Sequence, residues 1–171
     1  MQPTRRTALT AMAAALAGRP LLAIDTREPA PKFYGKSMDG ESFNNSSLRG
    51  KPVLLQFWAT WCQYCRGDQE AVDAIVHEFS NKGLVVLAVD VNESRKKVKE
   101  YLQKSPRAGK IVLTEDTNLA AMFADKTYPY YVLIDQDSKI AGIQRGAGGE
   151  HALRRLLAKV GLNGAQKDPA A

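Results

Sequence analysis

The chain has 171 residues, 44% of them hydrophobic, with two Trp, six Tyr and five Phe; that suffices for one ordinary core, is short for two, and excludes a disordered or low-complexity chain. The formal charge of +6 includes Arg5 and Arg6, without which 22 cationic side chains stand against 18 anionic ones, a mild +4. The densest basic run, Arg95, Lys96, Lys97 and Lys99, surrounds an apolar stripe of Val98, Tyr101 and Leu102; this is a solvated helix face, and no nucleic-acid partner is expected.

Residues 1–23 read as a cleaved export signal: Arg5 and Arg6 give a charged start, residues 8–17 an apolar stretch, and Ala15-Leu16-Ala17 a small-residue cleavage pattern, with a second candidate cut after Ala23. Thr4-Arg5-Arg6-Thr7 before Ala8-Leu9 resembles a twin-arginine address. The expected location is periplasmic or secreted, after bacterial export, without stable membrane insertion. Residues 24–32, rich in Pro and charge, are expected to be a linker.

Asp39-Gly40 between residues 33–38 and 41–43 predicts a β-hairpin. The apolar run 53–58 predicts a buried central strand. Val72, Ile75, Val76 and Phe79 then recur at helical spacing, and the same face counted backwards reaches Asp68 and Cys65; Glu70, Asp73 and His77 fall opposite, and Gly83 closes the element. A second strand is expected at 84–91, an amphipathic helix from Ser94 to about Lys104, a short strand at 111–113, a short helix at 117–124, and an antiparallel pair at 130–135 and 140–144. Leu153, Leu156, Leu157 and Val160 mark a last helix, with a flexible tail at 163–171. The fold class is α/β: one domain, 33–162, with a central mixed sheet flanked by helices.

Cys62 and Cys65 are the only cysteines, so no disulfide framework joins distant segments and a structural zinc site lacks its other cysteine ligands; no metal and no organic cofactor is expected. Cys62 falls at the strand-to-helix junction, where unpaired N–H groups and the helix dipole favour a thiolate, and Cys65 lies within one turn of it. The pair can therefore cycle between dithiol and disulfide. His77 and His151 have no ligand-like spacing to it.

With Phe57-Trp58-Ala59-Thr60-Trp61 ahead of the C-x-x-C and a βαβ pattern around it, the chain resembles the thioredoxin superfamily. Ala30-Pro31, Asp39-Gly40, Leu48-Arg49-Gly50-Lys51, the stretch 57–65 and Leu133-Ile134-Asp135 resemble the TlpA/ResA-like extracytoplasmic oxidoreductases over about residues 30–160. The resemblance implies a thioredoxin-like fold with an N-terminal β-hairpin and an extra helix-strand insertion at about 93–114. It also implies a cis Pro129 facing the cysteines, with the backbone of Tyr128 available to an extended substrate peptide. Trp61, Tyr64, Tyr128 and Pro129 are the expected substrate-side residues.

The departures mark the tuning points. Gln56 stands where plain thioredoxin has a buried Asp, Tyr64 where related motifs often have Pro, and Asp68 where the TlpA/ResA-like family commonly has Glu. Helical spacing separately places Asp68 near Cys65, where a desolvated carboxyl would have a raised pKa and manage the Cys65 proton; the alternative is an acid favoured near a helix start. The expected function is thiol-disulfide exchange that reduces disulfides of exported proteins, in a monomeric state; the resemblance implies apocytochrome c or copper-site proteins as targets and a membrane thiol-electron donor for re-reduction. The rivals are a disulfide oxidase or isomerase, a copper(I) metallochaperone using both thiolates, and a peroxiredoxin-like peroxidase, whose Pro-x-x-x-Thr-x-x-Cys pattern is absent.

Overall fold

The computed structural model describes residues 28–123 and 125–164; the expected export signal and the end of the tail lie outside the described residues. Seven strands form one mixed sheet in the order β2-β1-β5-β4-β3-β6-β7. Its centre is β3 (Val53–Trp58), buried along its whole length, with β4 (Val85–Asp90) parallel on one side and β6 (Tyr130–Ile134) antiparallel on the other. A strand with a neighbour on each edge and helices on each face has no side left for water, which is why 53–58 is continuously apolar apart from Gln56.

The hairpin expected around Asp39-Gly40 forms from β1 (Tyr34–Ser37) and β2 (Ser42–Asn44), and β7 (Ile140–Arg145) pairs antiparallel with β6. Gly40 has φ 94°, a left-handed value that suits only a residue without Cβ in this turn. β5 (Lys110–Thr117) is much longer than the expected 111–113, because β1 supplies partners at Val112 and, after a register shift, at Thr117. The following helix α4 (Leu119–Met122) is correspondingly shorter than 117–124. Thr117 belongs to the strand, donating its hydroxyl to Tyr34 O at 2.5 Å.

Residues expected in the linker are partly drawn into the sheet. Pro29 bridges Lys139, Ala30 N–H donates to Ser138 O at 2.9 Å, and Glu28 O accepts from Ile140 N–H at 2.9 Å.

One face of the sheet is covered by α2 (Gln69–Phe79) and α5 (Gly149–Ala158), where Val72, Ile75, Phe79, Leu153, Leu156 and Leu157 pack on Leu54, Tyr131 and Leu133. The other carries α3 (Arg95–Lys104) and α4, where Val98 and Leu119 join Leu55, Phe57, Val89 and Val132. Ser94 caps α3 as its N-terminal residue, accepting from Lys97 N–H. The active-end helix is not continuous: α1 (Gln63–Gly67) ends at Gly67, and Asp68 caps it before α2 begins. Gly67 is a weak helix former, and the Asp68 side chain is held from outside the helix, so the break falls where both conditions meet.

Candidate active site

The turn after β3 is closed by Cys62 N–H donating to Ala59 O at 3.1 Å. Cys62 then takes the N-cap position of α1 in an extended conformation, and its Sγ accepts from Cys65 N–H at 3.1 Å. A sulfur in this place receives one of the helix's orphan N–H groups and lies at its positive end, an environment that favours thiolate. Cys62 and Cys65 are joined in a disulfide, with their Cα atoms 5.2 Å apart. Cys65 is fully buried while Cys62 keeps 5% exposure, so Cys62 offers the sulfur through which an external thiol or disulfide can exchange.

Around it stands an aromatic rim. Trp61 and Tyr64 are 60% and 72% exposed. Trp61 meets half-buried Tyr128 edge-on, with ring centroids 6.2 Å apart. The Tyr128–Pro129 peptide is cis, as the resemblance implied, and Pro129 is buried with its carbonyl accepting from Gly146 N–H. The structure thus brings Trp61 and Tyr128 together, while Tyr64 stands out on α1.

Asp68 is buried among groups of the α2/α5 face, whereas Cys65 packs in the core of the opposite face, and the Asp68 carboxylate has three donors. Tyr131 Oη donates at 3.0 Å, Gly148 N–H at 3.2 Å and Gly149 N–H at 2.9 Å. It thereby caps the start of α5 from across the molecule, and this long-range capping was not foreseen from spacing. Burial first, and then the adjacent Asp68 charge, push the Tyr131 phenol well above its ordinary range, so it stays a donor. Gln56 is the cross-strand partner of Tyr131 and is fully buried.

Around Thr60, two residues before Cys62, stand further charged residues that the sequence did not mark as site residues. Glu93 accepts from Thr60 N–H at 2.5 Å and from Thr60 Oγ1 at 2.7 Å, and Lys97 Nζ lies 2.6 Å from it. Arg66 Nη1 donates to Thr60 O at 3.0 Å. Asp90, fully buried at the end of β4, accepts from Glu93 N–H at 3.2 Å. Burial, then hydrogen bonding and repulsion from Glu93, raise Asp90 to about 7, whereas Lys97 and Thr60 outweigh burial and lower Glu93. The available signal was an acid inside the apolar run 84–91, which marks a charge that needs a partner.

A further unexpected group is Arg107, whose guanidinium carbon lies 3.5 Å from the Trp58 ring centroid and 5.9 Å from that of Tyr101. Burial lowers its pKa from the usual arginine range. Its stacking fills space beside the core aromatics. Among the described residues no group of three or more His, Cys, Asp or Glu gathers as a metal site.

The AhpC/TSA family model matches residues 26–143. Thiol-disulfide oxidoreductase ResA of Bacillus cereus is 25% identical over 131 residues, covering 77% of this chain and 76% of its own. Thioredoxin-like protein YneN of Bacillus subtilis is 30% identical over 137 residues, covering 78% and 79%. A thiol:disulfide interchange protein of the thioredoxin family from Chlorobium tepidum superposes with TM-score 0.69 at 25% identity, covering 81% of this chain and 99% of its own. With the C-x-x-C disulfide at the start of α1 and the cis-proline loop on the same sheet, these likenesses agree on one conclusion: the chain belongs to the AhpC/TSA family and is a thioredoxin-like thiol-disulfide oxidoreductase.

Proposed function

We propose that the protein reduces disulfides of exported proteins through a Cys62/Cys65 dithiol, with apocytochrome c and copper-site proteins as target classes. The observation that carries this reading is the asymmetry of the pair: Cys62 Sγ at the helix start with residual exposure, Cys65 fully buried behind it. Cys62 thiolate attacks one sulfur of the partner disulfide; the S–S bond breaks, and the departing partner sulfur takes a proton. Cys65, deprotonated, then attacks Cys62 Sγ, releasing the second partner sulfur. Two electrons pass to the partner, and the Cys62–Cys65 disulfide is left for a membrane thiol donor to reduce.

In this reading Trp61, Tyr64, Tyr128 and Pro129 form the substrate side. The exposed rings supply apolar contact area, and the Tyr128 backbone pairs with an extended peptide, as in strand addition. Asp68, one turn beyond Cys65, is the acid-base group for the second thiol. Asp68→Asn is expected to slow exchange and reshape its pH profile; an unchanged profile defeats that role. The working place is the periplasm or the exterior, reached by export, and among the described residues no helix is long and apolar enough to cross a membrane.

The test is trapping with Cys65→Ser in extracts of exported proteins, followed by identification of what Cys62 holds and measurement of the potential. Disulfide-linked partners with paired cysteines, and a potential toward the thioredoxin value of about −270 mV, support a reductase. A potential near the oxidising end, about −120 mV, assigns an oxidase or isomerase instead. Copper(I) bound by the reduced pair with no covalent partner trapped assigns a metallochaperone.

A further inference from the structure

Thr60, two residues before Cys62, has every polar group committed. Its N–H and hydroxyl both go to Glu93, and its carbonyl accepts from Arg66 Nη1. The turn that delivers Cys62 is therefore clamped between α1 and the connection from β4 to α3. The Glu93 side chain is only 3% exposed, although its residue sits in a surface connection. A carboxylate withdrawn that far from water has to be held by donors, and Thr60 and Lys97 supply them.

Behind Glu93 lies Asp90. Its backbone is fixed on both sides, since Val91 N–H donates to Trp58 O at 2.9 Å and Thr114 Oγ1 donates to Asp90 O at 2.5 Å. One carboxyl oxygen accepts from Glu93 N–H, while the other is buried with no protein donor. Two buried acids with one oxygen lacking a donor are satisfied when Asp90 carries a proton directed to Glu93. We infer that Asp90 and Glu93 act as one positioning pair that shares a proton and, through Thr60, sets the reactivity of Cys62.

The charged and polar groups facing this pair define the effect. Lys97 faces it from α3, Arg66 reaches Thr60 from α1, Thr114 contributes from β5, and Cys62 lies beyond the turn. With Asp90 protonated, Glu93 and Lys97 balance. When Asp90 ionises, an uncompensated negative charge appears behind the Cys62 turn. It opposes formation of the Cys62 thiolate and weakens the hold on Thr60. The raised Asp90 pKa places this change near neutrality. Neither acid touches the reacting sulfurs, so both are positioning residues.

The inference rests on Cys62 being the reacting thiol, and the experiment separates the two. The reduced full chain is labelled with iodoacetamide from about pH 4 to about pH 9, rates are followed and the labelled cysteine is located by mass spectrometry. The wild-type profile is expected to show two inflections, one from Cys62 and one near neutrality from the pair. Asp90→Asn, which supplies a fixed amide donor, is expected to leave one inflection and to raise the rate at about pH 8 by about two- to fivefold. Glu93→Ala is expected to slow labelling about tenfold across the range, with Glu93→Gln restoring most of the rate because its amide oxygen still accepts from Thr60. Thr60→Val keeps both acids while removing the hydroxyl bond, and is expected to slow labelling about threefold; it serves where Glu93→Ala does not fold. A two-inflection profile persisting in Asp90→Asn, or an unchanged rate in Glu93→Ala or Thr60→Val, with Cys62 labelled throughout, overturns the pair. Preferential labelling of Cys65 overturns the dithiol reading itself.

Discussion

Asp68 and Asp90 are both buried acids at the cysteine end of the sheet, but their partners differ in kind. Asp68 meets three groups that do not compete for its charge: a phenol and two backbone N–H groups at the start of α5. Asp90 meets another acid, Glu93, with one cation, Lys97, on the far side. The first arrangement stitches three elements together and leaves nothing unpaired. The second is short of one positive charge, and a proton supplies it. At Asp90 burial first, and then the neighbouring acid Glu93, raise the carboxyl to about 7.

The largest expected effect concerns the cysteine sulfurs themselves. Cys62→Ser abolishes exchange with a model disulfide, whereas Cys65→Ser retains the first attack and accumulates a mixed disulfide, visible as a stable adduct on non-reducing gels. Next comes the Asp68 brace. Asp68→Ala strands Tyr131 Oη and two N–H groups, and is expected to cost about 3 kcal/mol in denaturant unfolding, since each buried unpaired group costs about 1–3 kcal/mol and some regain water.

The pH dependence of stability then reports on Asp90. Asp90 holds its proton more tightly folded than unfolded, so its contribution is fully present below about pH 4 and is lost as pH rises to about 7. The slope is at most about 1.4 kcal/mol per pH unit. Asp39, Glu78, Glu93 and Asp125 are shifted downward, and their contributions run the opposite way, being lost on acidification. The clean measurement is therefore the difference between wild type and Asp90→Asn: the variant should gain on the wild type from about pH 4 to about pH 7 and hold a constant difference above.

The smallest effect lies at the far end of the Asp68 brace. Gly149 has φ 64° with open space where a Cβ would stand, so Gly149→Ala is expected to lose about 1 kcal/mol from backbone conformation alone. A much larger loss in a thermal melt would mean that the Asp68 bond to Gly149 N–H had broken as well.

Much of this molecule is legible without coordinates. The run at 53–58, the face Val72, Ile75 and Phe79, the hairpin at Asp39-Gly40, and the pair β6 and β7 announce themselves, because alternation, helical spacing and turn chemistry are local consequences of burying one face. Cys62-Gln63-Tyr64-Cys65 at a strand-to-helix junction likewise specifies dithiol chemistry by local geometry alone. The full length of β5 is not local: Glu115 and Asp116 read as a polar connection until β1, paired at Val112 and Thr117, flanks them. The break between α1 and α2 needs Tyr131 and the start of α5 to draw Asp68 away, and those lie 63 to 81 residues along the chain.

The same division holds at the active end. The amino-acid sequence by itself determined that two cysteines three apart sit at a helix start with aromatic neighbours, since that depends on spacing within one turn. Only the tertiary structure decided which acids stand behind them. Thr60 and Glu93 are 33 residues apart and become partners because β3 and β4 run parallel in register, with Trp58 opposite Asp90. Parallel pairing places the ends of distant strands side by side, and it is there, outside any local pattern, that the charge around Cys62 is set.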